Sequence, residues 1–277
     1  MTTDQEPVSD DIAHALQAIG GFSTPSGQQM TESVNLLGQL LAQIPSTAWD
    51  DTFVNDFSAR ACLTRSYRQL RAAITLLTYG YYGEALATLR EVYESAGLAR
   101  VLAKDAKMAE QWIKKGQWFP DSKVRGWIAD AWDLSEDKAG IYGQHYKRMS
   151  AWAHPTASSS MHLVTFGEAG PSFRTETVYD ATFFGLCMKE IAATAVFACF
   201  AVRNAAANEA LIDPAWRKQL HELTEKISGE ELEHLQRDWD AEERRFEALV
   251  ERVRPEAELD DHLREHPLSW ENLKPKE

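Results

Sequence analysis

The stretch "IAATAVFACFAV", residues 191–202, restricts the fold more than any other part of the chain. It is the middle of a helical pattern over about Ala181 to Leu211 that is apolar on nearly all sides. A helix at a protein surface carries one apolar stripe, whereas one that is apolar all round has to be covered by neighbours. The run is too short to span a bilayer, and Lys189 and Glu190 precede it. The reading is a core helix wrapped by others, in a cytoplasmic protein with no membrane segment.

Helices able to wrap it are legible upstream. "MTESVNLLGQLLAQIP" sets Val34, Leu37, Leu40, Leu41 and Ile44 at helical spacing and ends on Pro45. A second helix is expected from about Trp49 to Thr78, with Phe53, Phe57, Ala61, Leu63, Tyr67, Leu70, Ile74 and Leu77 as its apolar positions, broken by "YGYYG". "GEALATLREVYESAGLARVLAKD" follows, with Ala85, Leu89, Val92, Ala96 and Val101 as a stripe and Arg90 and Glu94 four apart on one face. A short helix is expected near "KMAEQWIKKG", then one in "FPDSKVRGWIADAW" capped by Asp121 or Ser122. Another runs through Ile141, Tyr142, Tyr146, Met149 and Trp152 to His154-Pro155, because a residue before proline is pushed out of helical geometry.

The β signal is confined to "MHLVTF" and "SFRTETVYD" flanking "GEAGP", a hairpin at about 161–180. The fold class is therefore mainly α: a helical bundle with one small β-hairpin insertion and a long C-terminal helical extension. The expected division is a mobile N-terminal arm over 1–28, rich in Gly, Ser, Thr, Pro and acids, then a bundle over 29–211, then an acidic extension over 212–277. In that extension Leu232, Leu235, Trp239, Phe246, Leu249 and Val253 form an amphipathic stripe suited to the body, a second subunit or a protein partner.

Charge is uneven. The chain carries 29 Lys and Arg against 42 Asp and Glu, a net of −13. That total argues against a general nucleic-acid coat, since a phosphate backbone attracts cations. Residues 60–104, however, hold seven cations and three acids, and Arg60, Arg65, Arg68 and Arg71 could face phosphates. Cys62, Cys187 and Cys199 form no paired motif and read as buried thiols. The acidic N-terminus has neither the basic nor the apolar region of a signal peptide.

No phosphate-cradling glycine loop, nucleophile elbow or zinc-helix motif occurs. His262 and His266 are four apart but sit beside Pro267 in a charged tail, and His154 and His162 lack a third ligand, so no metal and no cofactor are expected. The residues with chemistry are Arg148 and His154. Histidine titrates near neutrality, and arginine offers a planar fork of donors to phosphate oxygens. Together they could open an RNA phosphodiester without metal, the 2′-hydroxyl being the nucleophile. Lys147 could position the strand, Arg90 and Glu94 could face His154, and Tyr146, Ser150 and His154, spaced by four, could form a hydrogen-bonded ladder. The same residues also serve as an ordinary helix ending, because His or a cation in the last turn satisfies terminal carbonyls.

"YYGEALATLREVYESAGLARVL" followed by "YKRMSAWAHPTAS" resembles a bacterial family of unknown function with an HEPN-like helical fold. The resemblance rests on Gly80 through Glu94, with Glu84, Ala85, Leu89, Arg90 and Glu94, and on Ser150, His154 and Pro155; it covers about residues 45–210. It implies a helical bundle that works as a homodimer. It also implies a metal-independent endoribonuclease of a toxin–antitoxin or phage-defence kind, with RNA as partner and Arg148 and His154 as the active pair. The residue after that arginine is usually polar in the superfamily and is Met149 here. The other reading of the same bundle is a non-catalytic interaction module.

Overall fold

The structure is a computed structural model that describes residues 7–43, 53–131, 146–147, 149–154, 163–167, 170–173, 177–206, 212–229 and 244. Helices dominate them. In chain order they are α1 (Pro7–Phe22), α2 (Pro25–Gln43), α3 (Phe53–Thr78), α4 (Tyr82–Lys104), α5 (Ala106–Lys115), α6 (Asp121–Ala131), α7 (Ala181–Ala205) and α8 (Pro214–Ser228). Strands β1 (Val164–Gly167) and β2 (Gly170–Phe173) pair antiparallel, Val164 opposite Phe173 and Gly167 opposite Gly170. This ladder is four residues long on each strand, shorter than the 161–180 span expected, and residues 177–180 are irregular backbone leading into α7.

The apolar helix is α7, and it is enclosed. Phe184, Cys187, Ile191, Ala195, Ala198, Cys199 and Val202 are all fully buried, against α2, α3, α4 and α8. At 25 residues, with a stretch of 18 whose mean hydropathy is 1.6, α7 is long and apolar enough to cross a bilayer by length and composition, unlike the shorter run legible in the sequence. Here its apolar faces are met by other helices. It stops at Ala205, with Ala206 extended, earlier than the expected Leu211. Asp180 starts it, its carboxylate accepting from the Thr182 and Phe183 N–H groups at 2.9 Å.

The largest helix interface is between α3 and α4. On α4 the expected stripe of Ala85, Leu89, Val92, Ala96 and Val101 is completely buried. On α3 the expected Leu63, Leu70 and Leu77 are fully buried, and small residues share their line. Ala59, Cys62, Leu63, Ser66, Leu70, Ala73 and Leu77 face inward, while Phe57 is exposed and Tyr67 and Ile74 are partly so. Small residues at 59, 66 and 73 let the two backbones approach closely, which outweighs the size of the neighbouring aromatics.

Two expected boundaries change. Residues 7–22 are helical, and His14 and Ala18 are buried in the body, so α1 is part of the packed structure. His14 Nδ1 donates to the Thr78 carbonyl at 2.8 Å, and its Nε2 accepts from the Tyr82 hydroxyl at 2.8 Å. Tyr82 in turn accepts from the Asp180 N–H at 3.0 Å. This relay ties α1, the α3–α4 turn and the start of α7 together. At the other end, α8 belongs to the same core: Trp216, Leu220 and Leu223 are buried, and Trp216 Nε1 donates to the Leu36 carbonyl at 2.9 Å. The division at 211–212 therefore cuts through a packed unit. The 230–253 stripe, His162, His262 and His266 lie outside the described residues.

Two titration results follow from this packing. Burial pushes the Tyr82 phenol up to about 12; the hydrogen bond from the Asp180 N–H opposes this, and the charges of Cys187, Tyr179 and the Asp180 carboxylate add to it. The folded state then keeps a proton that the unfolded chain loses near 10, so stability contributed below pH 10 is lost as pH rises toward 12. Ultraviolet tyrosinate absorbance should show a late phenol that ionises together with unfolding and is lost in Tyr82→Phe. Burial likewise raises Cys62 and Cys187 to about 12 and lifts Cys199 too. A thiol reagent should leave the native protein unmodified and react with three thiols after denaturation.

Candidate functional site

α4 is buried on most of its circumference, and its open face carries Arg90, Glu91 and Glu94. α5, α6 and residues 149–154 stand around that face. Between them lies a cleft of about 590 Å³, whose lining includes Arg90, Glu94, Trp112, Trp118, Asp121 and Ala153.

Four of the residues singled out in the sequence meet at its edge. Arg90 Nε donates to Glu94 Oε1 at 2.9 Å, one turn along the same helix. Tyr146 donates its hydroxyl to the same Glu94 oxygen at 3.1 Å. A second Arg90 nitrogen lies 3.1 Å from His154 Nε2. Guanidinium only donates, so Nε2 is the acceptor in this hydrogen bond. The Arg90 and Arg125 guanidinium carbons lie 5.2 Å and 5.1 Å from the Tyr146 ring centroid. Arg125 is itself held by Asp121 at 2.6 Å.

The electrostatics follow from those distances. Partial burial pulls the Arg90 pKa down, but Glu94 and Tyr146 together hold it above the ordinary arginine value. Partial burial raises the Tyr146 phenol, and the Glu94 carboxylate raises it further. Arg90 therefore stays charged, and Tyr146 remains a donor at neutral pH.

Other expectations fall differently. Ser150 contributes its carbonyl to the His154 N–H at 3.2 Å, but its hydroxyl is buried without a hydrogen-bond partner among the described residues. The expected ladder of 146, 150 and 154 is thus not formed: its two ends bond to α4 instead of to each other. Lys147 is exposed, and Arg148 lies outside the described residues. Met149 is fully buried in the core. Asp121 does not cap α6; it is that helix's first residue, and the Lys123 and Val124 N–H groups bond to the Pro120 carbonyl instead. The arginines of α3 do not form one strip, because Arg60 pairs with Asp56 and Arg65 with Glu91 across the helix interface.

Sequence reasoning missed the far wall of the cleft. It is built by the loop "GQWFP", residues 116–120, where Trp118 is 78% exposed and Phe119 only 5% exposed. Two aromatics in a turn bounded by glycine and proline were the available signal. Among the described residues no cluster of three or more His, Cys, Asp or Glu side chains gathers. No protein-family model, no curated protein and no solved structure matches this chain.

Proposed function

We propose that the chain is an HEPN-like helical protein, working as a homodimer, that cleaves RNA phosphodiesters in this cleft without a metal. The observation that carries the reading is the Arg90–His154 contact at 3.1 Å, anchored by Glu94 and reached from two separate parts of the chain. A helix ending needs no such partner on another helix.

The chemistry divides among these residues. The Arg90 guanidinium turns from His154 Nε2 to the phosphoryl oxygens, and the freed Nε2 takes the proton of an RNA 2′-hydroxyl, whose oxygen attacks the adjacent phosphorus. The bond to the 5′-oxygen breaks, and that oxygen leaves with a proton from solvent or from the His154 of the second subunit. The products are a 2′,3′-cyclic phosphate and a 5′-hydroxyl end. Arg90, and Arg148 six residues before His154 in the sequence, supply charge to the phosphoryl oxygens as negative charge builds. Glu94 and Tyr146 act as positioning residues through Arg90, and Lys147 steers the strand.

A second reading has an observation in its favour. The cleft lining carries Arg65 and Arg90 against Glu91, Glu94 and Asp121, so its cations are matched by acids. A phosphate-binding surface ordinarily has cations in excess. A bundle whose cleft or C-terminal helix serves a protein partner has no such requirement. Incubating the protein with RNA in EDTA, beside His154→Ala and Arg148→Ala, separates the two. Cleavage lost in both variants is expected; cleavage unchanged in both removes the site, and no cleavage of any RNA favours the interaction module.

A further inference from the structure

The cleft has an aromatic wall for which the proton-transfer chemistry has no use. Among the described residues Trp118 is the most exposed of the large apolar side chains, at 78%, yet it projects from a loop that is tied down on both sides. Before it, Gly116 adopts φ +59°, and the Gln117 N–H bonds back to the Gln111 carbonyl at 3.2 Å. After it, Phe119 is buried with the Lys123 ammonium 5.2 Å from its ring centroid, and Pro120 leads into α6. A large indole held in water on a pinned loop, beside the partly buried Trp112, is a stacking surface without a partner.

We infer that Trp118 stacks on an unpaired base of a single-stranded RNA, next to the phosphodiester presented to His154; this rests on the RNA reading above. Three observations converge. Trp118, Arg90 and Ala153 line the same cleft, and His154 Nε2 lies 3.1 Å from Arg90, so the proton-transfer group stands beside a lining residue of the volume that Trp118 walls. That volume, about 590 Å³, lies in the range of small-ligand sites and suits a nucleotide. The lining has two arginines and three carboxylates, so attraction for phosphate cannot supply most of the affinity, and stacking on an open π-face can. The Glu91 carboxylate is half exposed and keeps acceptor capacity beyond its bonds to Arg65 and Gln69, which suits a base bearing an exocyclic amine, such as adenine. A base inside a duplex has neither face free, so the site excludes paired RNA.

The test uses a fluorescently labelled 2′-O-methyl oligoadenylate, which cannot be cleaved, and anisotropy of the full-length protein. Wild type should bind the single strand, Trp118→Ala should bind about 10-fold or more weakly, and Trp118→Phe should recover most of the loss. The same strand annealed to oligouridylate should bind more weakly, and the salt dependence of the single-strand affinity should be shallow. Equal binding by wild type and Trp118→Ala, equal binding of duplex, or no binding by wild type overturns the inference. Matching melting temperatures show that the loop variant is folded. Cleavage of unmodified RNA in parallel keeps the two readings apart. Loss in His154→Ala with wild-type KM in Trp118→Ala leaves the catalytic reading standing and this one overturned. Trp118-dependent binding without cleavage does the reverse.

Discussion

Gly80→Ala should be among the most damaging single-methyl additions in the chain, lowering stability by about 3–4 kcal/mol and the melting temperature by roughly 10 °C. Gly80 forms the turn between α3 and α4 with φ +86°, where an L side chain is strained. A Cβ there would also lie 2.8 Å from His14 Cδ2 and 2.9 Å from Thr177 Cβ. The imidazole cannot retreat without giving up its bonds to Thr78 and Tyr82, so the substitution strikes the relay that joins three helices. Gly126→Ala in α6 is the control: no atom lies within 4 Å of an added Cβ, and stability should rise by about 0.5–1 kcal/mol through helix propensity. If thermal unfolding finds Gly80→Ala as stable as wild type, the turn is not built this way.

Arg90→Ala should lower RNA cleavage by about 100-fold, mainly in kcat, with little loss of fold stability. The guanidinium contacts Glu94, His154 and the Tyr146 ring at once. Removing it frees the imidazole from its fixed orientation and removes charge next to the scissile phosphate, while an ion pair this exposed contributes only tenths of a kcal/mol to folding. Arg90→Lys should recover little, because a single ammonium cannot reach Glu94 and His154 in two directions. Steady-state kinetics with a melting curve for each variant checks this; a change confined to KM would make Arg90 a binding residue only.

How much of this was legible in the sequence differs by element, and the reasons are physical. α7 and the α4 stripe were readable because large apolar residues recur at helical spacing. The inward face of α3 was read in part: Leu63, Leu70 and Leu77 are on it, but Ala59, Ser66 and Ala73 were not expected there, because their value lies in close backbone approach and not in hydrophobicity. α1 and α8 were missed as parts of the body because each is anchored by a polar group, His14 and the indole N–H of Trp216, whose partners lie far away in the chain. At the site, Arg90 and Glu94 were legible from four-residue spacing alone. That His154 reaches Arg90, and that Trp118 shares their cleft, are tertiary facts set by how α5, α6 and residues 149–154 pack around α4. Asp121 was read as a cap because aspartate favours that role, but Arg125 one turn later competes for it.

The central claim is that His154, held by Arg90 at the edge of this cleft, drives metal-free opening of an RNA phosphodiester. End-group analysis of end-labelled RNA incubated in EDTA tests it most directly. Fragments ending in 2′,3′-cyclic phosphate and beginning with 5′-hydroxyl, formed by wild type and absent with His154→Ala, are the predicted result. Fragments with 3′-hydroxyl ends, or cyclic-phosphate ends formed equally well by His154→Ala, would contradict it.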